Sequence, residues 1–351
     1  VNAEILFVGP GARLKARAWT RGLAPSGRVI LVSEAGVWRR FGPGVQRALK
    51  GAGLKVVTHL LPSGEPAKSW DSIEPLLTAM LESGLDRGSA LIALGGGSVT
   101  DAAGFAAAIF LRGIPWVSIP TTMLGQLDSG LGGKTGINLA GGKNLAGAFH
   151  RPAAVVCDSD ALKTLPPRER VSGLGEALKY GLVFDPGLWN MMTRDWDELV
   201  AGDARLTAEV VRRGASWKRK IVAADLYERR GPRELLNFGH TLGHALESAS
   251  GLGVLRHGEA VIWGMRAALR LSVKRAGLSP SVALEADRFL ADIPVPVPRR
   301  IDPRRLVAMT RRDKKARAGV VRFVLLRALG RPIVKPVPEN EILSAARELL
   351  S

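Results

Sequence analysis

The sequence predicts an α/β domain built on a parallel sheet, followed by a mainly α-helical domain. Two observations carry this. Short β-rich runs alternate with helical stretches up to about residue 158, and from Pro166 to about Leu290 the apolar spacing is helical almost throughout. At 351 residues the chain exceeds a typical single core, so two domains are expected, 1–160 and 161–351, with the cleft between them as the default site.

Taken in order, Ile5-Leu6-Phe7-Val8-Gly9 opens as a short strand, without the cleavage site of a signal peptide. Strands follow at Arg28–Val32, Lys55–Leu61, Ala90–Leu94, Trp116–Ile119 and Ala154–Asp158. Helical spacing fills the runs between them, such as Pro43–Gly51 and Ser72–Glu82. Such alternation implies a parallel sheet covered on both faces. After the helical stretch, Pro294-Val295-Pro296-Val297-Pro298 is a break, Pro303–Met309 is helical, and Val320–Leu326 with Pro332–Val334 forms a small hairpin turning near Leu329-Gly330.

Composition excludes several classes. Hydrophobic residues at 46% and charged residues at 23% are ordinary for a globular protein, and no apolar run is long enough to span a membrane. A single cysteine, Cys157, rules out an internal disulfide and a zinc site built from several thiolates, and it fits a reducing cytoplasm. The formal charge of +18 admits nucleic-acid binding, focusing of anionic substrates, or a merely arginine-rich surface. The basic pairs, from Arg39-Arg40 to Arg311-Arg312, are scattered and form no tail, and no nucleic-acid-binding motif accompanies them. The charge is therefore read first as an arginine-rich surface, with focusing of an anionic substrate as a contribution, and no nucleic acid is expected among the partners.

Three constellations carry chemistry. Gly95-Gly96-Gly97-Ser98-Val99-Thr100-Asp101 follows a buried-looking strand and opens an alanine-rich helix, where glycines admit a pyrophosphate and the helix start offers free N–H groups. It is neither GxGxxG nor a Walker motif, but its place at a strand's carboxyl end favours a nucleotide over a simple turn. The stretch Gln126–Gly136, with Gly141-Gly142-Lys143-Asn144-Leu145, gathers Asp128, Lys134, Lys143 and Asn144 around glycine turns, which suits a phosphate or carboxylate. His240, His244 and His257 cluster near glycines, with His240 and His244 one helical turn apart, while Glu176 and Lys179 share a face of another helix. A Glu/His/His set on Zn²⁺ leaves an open position for a substrate oxygen. Spacing leaves open which two histidines ligate.

Together and in this order these pieces resemble the 3-dehydroquinate synthase family, within the sugar phosphate cyclases. The match spans nearly the whole chain and is strongest at Gly95–Asp101, Phe110–Gly113, Pro120–Lys134, Gly142–Asn144, Glu176–Gly181, Asn237–Glu247, His257–Glu259 and Arg312–Lys315. The resemblance implies a Rossmann-like NAD domain followed by an α-helical metal domain. It implies Glu176, His240 and His257 as ligands of Zn²⁺ (Co²⁺ could occupy the same set), and His244 as a substrate contact near the phosphate. Substrate and catalytic contacts carry over to Asp128, Lys134, Asn144, Lys179, Lys218, Arg233, Asn237, Lys314 and Lys315. Arg112 matches an arginine that reaches the site across a homodimer interface. NAD contacts carry over to Gly97, Ser98, Val99, Thr100, Asp101, Thr121, Thr122, Lys134, Lys143, Leu162, Lys163 and Thr164, with Glu65 and Lys68 as a ribose-contacting pair. The chain departs from the usual pattern at Ser63-Gly64-Glu65, at Asp128-Ser129-Gly130 and by one extra residue between Asp225 and Arg233.

The implied reaction converts 3-deoxy-D-arabino-heptulosonate 7-phosphate to 3-dehydroquinate and phosphate, in the shikimate pathway to aromatic amino acids. Rival readings are a cyclase making an aminated quinate or a cyclitol, a metal-dependent polyol dehydrogenase, and a nucleic-acid binder driven by charge. A dehydrogenase would accumulate NADH and has little use for Lys134, Lys143 and Arg233 as anion clamps.

Overall fold

The computed structural model describes residues 5–228, 231–251, 253–297, 301–311 and 321–350. The chain forms two compact units. The first comprises Val1–Pro166 and Gly202–Tyr227, the second Pro167–Ala201 and Glu228–Ser351. The sequence places a single boundary near residue 160; the chain instead crosses between units three times.

In the first unit, strands β1 (Ile5–Val8), β2 (Arg28–Glu34), β3 (Lys55–Leu61), β4 (Ala90–Gly95) and β5 (Trp116–Pro120) precede a hairpin of β6 (Lys134–Leu139) and β7 (Gly142–Phe149), and β8 (Ala154–Cys157) closes the series. Six of them make one parallel sheet in the order β1-β8-β5-β4-β2-β3. Both faces are covered, so the strands are apolar on both sides. Along β2, Val29 and Leu31 face the core that contains Trp19, Val45 and Leu49. Ile30 and Val32 face the opposite core, with Ile73, Leu76 and Met80. Four helices accompany these strands, α1 (Ala16–Trp19), α2 (Ala35–Gly51), α3 (Trp70–Glu82) and α4 (Gly97–Ile109). Helix α2 starts eight residues before the helical run expected from Pro43, which sits inside it. Gly42 tolerates no side chain there, because a Cβ would fall 2.1 Å from the Trp38 ring.

The chain then contributes α5 (Pro167–Val183), α6 (Pro186–Arg194) and α7 (Trp196–Ala201) to the second unit, and returns to the first with α8 (Ala204–Ala224). Buried Asp158, just past β8, ties the first loop down: it accepts from the backbone N–H groups of Gly11 and Arg13 at 3.0 Å and from the Arg13 guanidinium at 2.6 Å.

The second unit continues with α9 (His240–Ser250), α10 (His257–Ala276), α11 (Pro280–Asp292), α12 (Pro303–Arg311), the antiparallel pair β9 (Val321–Ala328) and β10 (Arg331–Val337), and α13 (Glu339–Leu350). Its core joins Leu242 and Leu246 of α9, Ala260 and Leu271 of α10, Phe323 and Leu325 of β9, and Ile342 and Ala346 of α13. The C-terminal hairpin matches expectation; α13 adds an amphipathic helix that the sequence reading did not include.

Candidate metal centre and cofactor loop

The metal-ligating candidates meet in the second unit because helix starts, which place side chains accurately, face one another. His240 opens α9 after Gly239, whose φ of 78° is left-handed, and His257 opens α10. Glu176 and Lys179 lie one turn apart on α5, both fully buried. The approach of α10 to α5 is bare backbone: a Cβ on Gly258 would stand 1.7 Å from the Ser172 carbonyl oxygen, and one on Gly175 would stand 2.7 Å from that of Gly258.

Glu176 Oε1 is 3.2 Å from Nε2 of His240 and 3.2 Å from Nε2 of His257. Ligand atoms bound at about 2.0–2.1 Å around a tetrahedral Zn²⁺ stand about 3.3 Å apart, so each Glu176–imidazole separation is that of neighbouring ligand atoms. His240 Nδ1 lies 3.1 Å from the Phe238 carbonyl oxygen and donates to it as a neutral imidazole. Nε2 then faces the carboxylate oxygen at 3.2 Å, a pair that a proton or a metal ion between the two atoms satisfies. The other carboxylate oxygen, Oε2, accepts from Lys179 Nζ. His257 Nδ1 is 3.3 Å from Glu247 Oε2, the carboxylate–imidazole pairing that orients metal-binding histidines. His244, one turn along α9 and exposed, joins His240 and His257 in a group whose ligand atoms lie within 4.8 Å of one another. The residues therefore fit a divalent cation.

The electrostatics agree. Burial pushes the Glu176 carboxyl up, but the Lys179 ammonium and the His240 and His257 imidazoles outweigh it and hold it well below the usual carboxylate range. Burial, with Lys179, lowers His240. For His257, burial is overcome by Glu176 and Glu247, which raise it to about 10. A place that draws a proton so strongly attracts positive charge. Glu259, almost wholly buried, locks the start of α10 by accepting from Arg168 Nε at 2.6 Å, from Arg168 Nη2 at 2.8 Å and from the Arg256 backbone N–H at 2.8 Å.

In the first unit the glycine run sits at the carboxyl end of β4. A Cβ on Gly97 would lie 2.9 Å from Ser129 Oγ and one on Gly96 would lie 3.3 Å from Thr122 Cγ2, so the loop after β5 closes tightly on the bare turn. No side chain among the described residues caps the start of α4, and the Ser129 hydroxyl is buried there without a hydrogen-bond partner. Open N–H groups beside an unsatisfied hydroxyl fit a phosphate-bearing cofactor. Lys68 Nζ bonds Asp101 Oδ2 at 2.6 Å and also reaches Asn144 Oδ1. Burial raises the Asp101 carboxyl to about 6, against the opposing charge of Lys68. Lys218, from α8, donates to Asp128 Oδ1.

The remaining candidates fall as follows. In the first unit, Thr121 and Thr122 follow β5, Lys134 opens β6, Lys143 lies on β7, and Leu162, Lys163 and Thr164 form a short 3₁₀ turn after β8 in which Lys163 pairs with Asp160 at 2.7 Å. Glu65 bonds Asn138. Arg112 is exposed on a strained turn, with φ of 50° at Leu111 and 68° at Arg112. In the second unit Arg233 is buried and Asn237 Nδ2 donates to the Glu234 carbonyl at 2.8 Å. Lys314 and Lys315 lie outside the described residues. Sequence reasoning missed the supporting roles of Glu247, Arg168 and Glu259, although Glu247 stands three residues after His244, one turn along the same face.

The 3-dehydroquinate synthase N-terminal family matches residues 58–172, and the 3-dehydroquinate synthase C-terminal family matches residues 173–316. The chain belongs to the 3-dehydroquinate synthase family. The 3-dehydroquinate synthase of Thermosynechococcus vestitus is 44% identical over 313 residues, covering 88% of this chain and 84% of that protein. A solved 2-deoxy-scyllo-inosose synthase, complexed with carbaglucose-6-phosphate, NAD⁺ and Co²⁺, is 25% identical with a TM-score of 0.87 over 98% of this chain and 96% of its own. The 2-epi-5-epi-valiolone synthase from Streptomyces hygroscopicus subsp. jinggangensis, solved with NAD⁺ and Zn²⁺ bound, is 28% identical with a TM-score of 0.85 over 99% and 97%. Likeness to 3-dehydroquinate synthases along nearly the whole chain makes this an enzyme of that type. No helix among the described residues is long and apolar enough to cross a membrane.

Proposed function

We propose that this enzyme converts 3-deoxy-D-arabino-heptulosonate 7-phosphate to 3-dehydroquinate and phosphate, using NAD catalytically and Zn²⁺ or Co²⁺ held by Glu176, His240 and His257. The observation that carries this is Glu176 Oε1 standing 3.2 Å from both imidazole Nε2 atoms, in a chain of this family. When bound, the divalent ion supplies polarisation of a substrate hydroxyl and NAD supplies a transient hydride acceptor.

The chain's own residues do the rest. Lys179 fixes the Glu176 carboxylate from behind, so that one oxygen remains for the cation. The glycine turn before α4, with Thr121, Thr122 and the Glu65/Lys68 pair, holds the dinucleotide. Lys134, Lys218, Arg233 and the Lys314-Lys315 pair neutralise the substrate's carboxylate and phosphate. His244 and Asn237 contact the substrate near its phosphate. The chemistry NAD would supply is reversible oxidation at C5, which would acidify the adjacent C–H for elimination of phosphate, with the leaving phosphate as acceptor of the proton. The proposed reaction ends with ring opening and an intramolecular aldol that closes the carbocycle, and it has no net redox change. Arg112, on its strained exposed turn, is the residue through which a homodimer would complete the site.

The second reading is a neighbouring cyclase type, an aminated-quinate or cyclitol maker, favoured by the fold likeness to the inosose and valiolone synthases. Incubation with the heptulosonate phosphate, NAD⁺ and Zn²⁺ separates them. The expected result is one phosphate released per substrate, with NAD at substoichiometric level and 3-dehydroquinate as product. Release of no phosphate, or NADH accumulating in step with substrate loss, contradicts the proposal.

A further inference from the structure

The register of the β6–β7 hairpin breaks where the site residues lie. Ile137 pairs with Ala146 and Leu139 with Gly142, so Asn138 alone stands opposite Lys143, Asn144 and Leu145. Such bulges re-aim side chains beside functional sites. This one places Asn144 at a φ of 56°, a left-handed conformation that asparagine accepts more readily than most residues. Asn138 closes the bulge from three directions. Its Oδ1 accepts from the Asn144 backbone N–H at 2.9 Å, its Nδ2 donates to Glu65 Oε2 at 2.6 Å, and its backbone N–H donates to the Lys68 carbonyl at 2.8 Å. Lys68 in turn bridges Asn144 Oδ1 and Asp101.

We infer that Asn138 is a positioning residue that clamps the bulge carrying Lys143 and Asn144 onto the Glu65/Lys68 pair, and so holds one group in place for the cofactor and another for the substrate. This rests on the proposed roles of Glu65 and Lys68 toward NAD and of Asn144 toward substrate. The two ends of the side chain have separable duties. The carbonyl holds the Asn144 turn, and the amide N–H group holds Glu65. Asn138→Asp keeps the first and loses the second, setting two carboxylates against each other.

The test titrates NAD⁺ directly into the Zn²⁺-loaded protein by calorimetry and separately measures KM for the heptulosonate phosphate. Replacing the Asn138–Glu65 hydrogen bond by two facing carboxylates displaces Glu65, a change worth about tenfold in affinity where it is carried fully into NAD⁺ binding. Asn138→Asp is expected to raise the Kd for NAD⁺ about tenfold and leave the sugar-phosphate KM within about twofold. Asn138→Ala raises both about tenfold. Glu65→Gln weakens NAD⁺ binding on its own, and in that background Asn138→Asp is expected to cost less than about twofold further, because the amide can donate to the new carboxylate; a merely structural role would cost the same in both backgrounds. The inference is overturned if the wild-type protein binds NAD⁺ but Asn138→Asp binds it equally well. It is also overturned if Asn138→Asp costs the same tenfold in the Glu65→Gln background as in the wild type. A wild-type protein that binds no NAD⁺ instead defeats the cofactor assignment itself, and the inference with it.

Discussion

Glu176→Gln is expected to bind divalent metal more than about 100-fold more weakly, since removing merely a ligand's outer partner already costs 10–100-fold, and to lose turnover with it. The amide is close in shape, so the effect isolates charge. It also strands Lys179, which is fully buried and donates to the lost carboxylate. Leaving one member of a buried pair without its partner destabilises by about 3–5 kcal/mol. Two measurements separate the consequences. Metal content by mass spectrometry and the midpoint of denaturant unfolding should both fall in Glu176→Gln. In Glu176→Gln/Lys179→Met the unfolding midpoint should recover while metal stays absent. Normal metal content in the single variant would remove Glu176 from the ligand set.

Gly258→Ala is expected to be the most damaging conservative substitution in the second unit. Its Cβ would sit 1.7 Å from the Ser172 carbonyl oxygen and 2.6 Å from the carbonyl carbon, both backbone atoms that no rotamer change can move aside. Helices α5 and α10 must separate, and His257 moves off Glu176 as they do. Overpacking usually costs about 1–3 kcal/mol and occasionally more; a backbone-to-backbone clash places this at roughly 3 kcal/mol or above, with metal affinity lost in parallel. Gly36→Ala in α2 is the control. A Cβ there meets nothing within 4 Å, and helical Gly→Ala gains about 0.5–1 kcal/mol. Thermal unfolding of the two variants should shift in opposite directions. A Gly258→Ala protein with unchanged Tm and metal content would show that the helix contact does not set the ligand geometry.

The parallel sheet was legible because each strand is an apolar run bounded by turn residues, as in Ala90–Leu94 before its three glycines. The β6–β7 hairpin was not, because its glycines read as loop. In the structure Gly136 and Gly147 mark backbones in close approach: a Cβ on Gly147 would fall 2.2 Å from the Thr135 carbonyl oxygen. The helical period of Ala204–Ala224 is plain, yet period alone does not say which unit a helix joins, and α8 returns to the first. The same limit applies to the site. Spacing showed that His240 and His244 share a helix face, and resemblance pointed to His257 and Glu176 as ligands. The contact of Glu176 with two imidazoles depends on the glycine-to-glycine approach of α5 and α10, which no local pattern encodes. Asn138 gave no signal at all, since its importance comes from facing a bulge.

X-ray absorption on the Zn²⁺- or Co²⁺-loaded wild-type protein tests the ligand set most directly. One ion per chain, a first shell of nitrogen and oxygen only at about 2.0–2.1 Å, and outer-shell scattering from two imidazoles is the result this account predicts. A third imidazole in the shell would bring in His244 and contradict it, as would a sulfur neighbour or a protein that retains no ion.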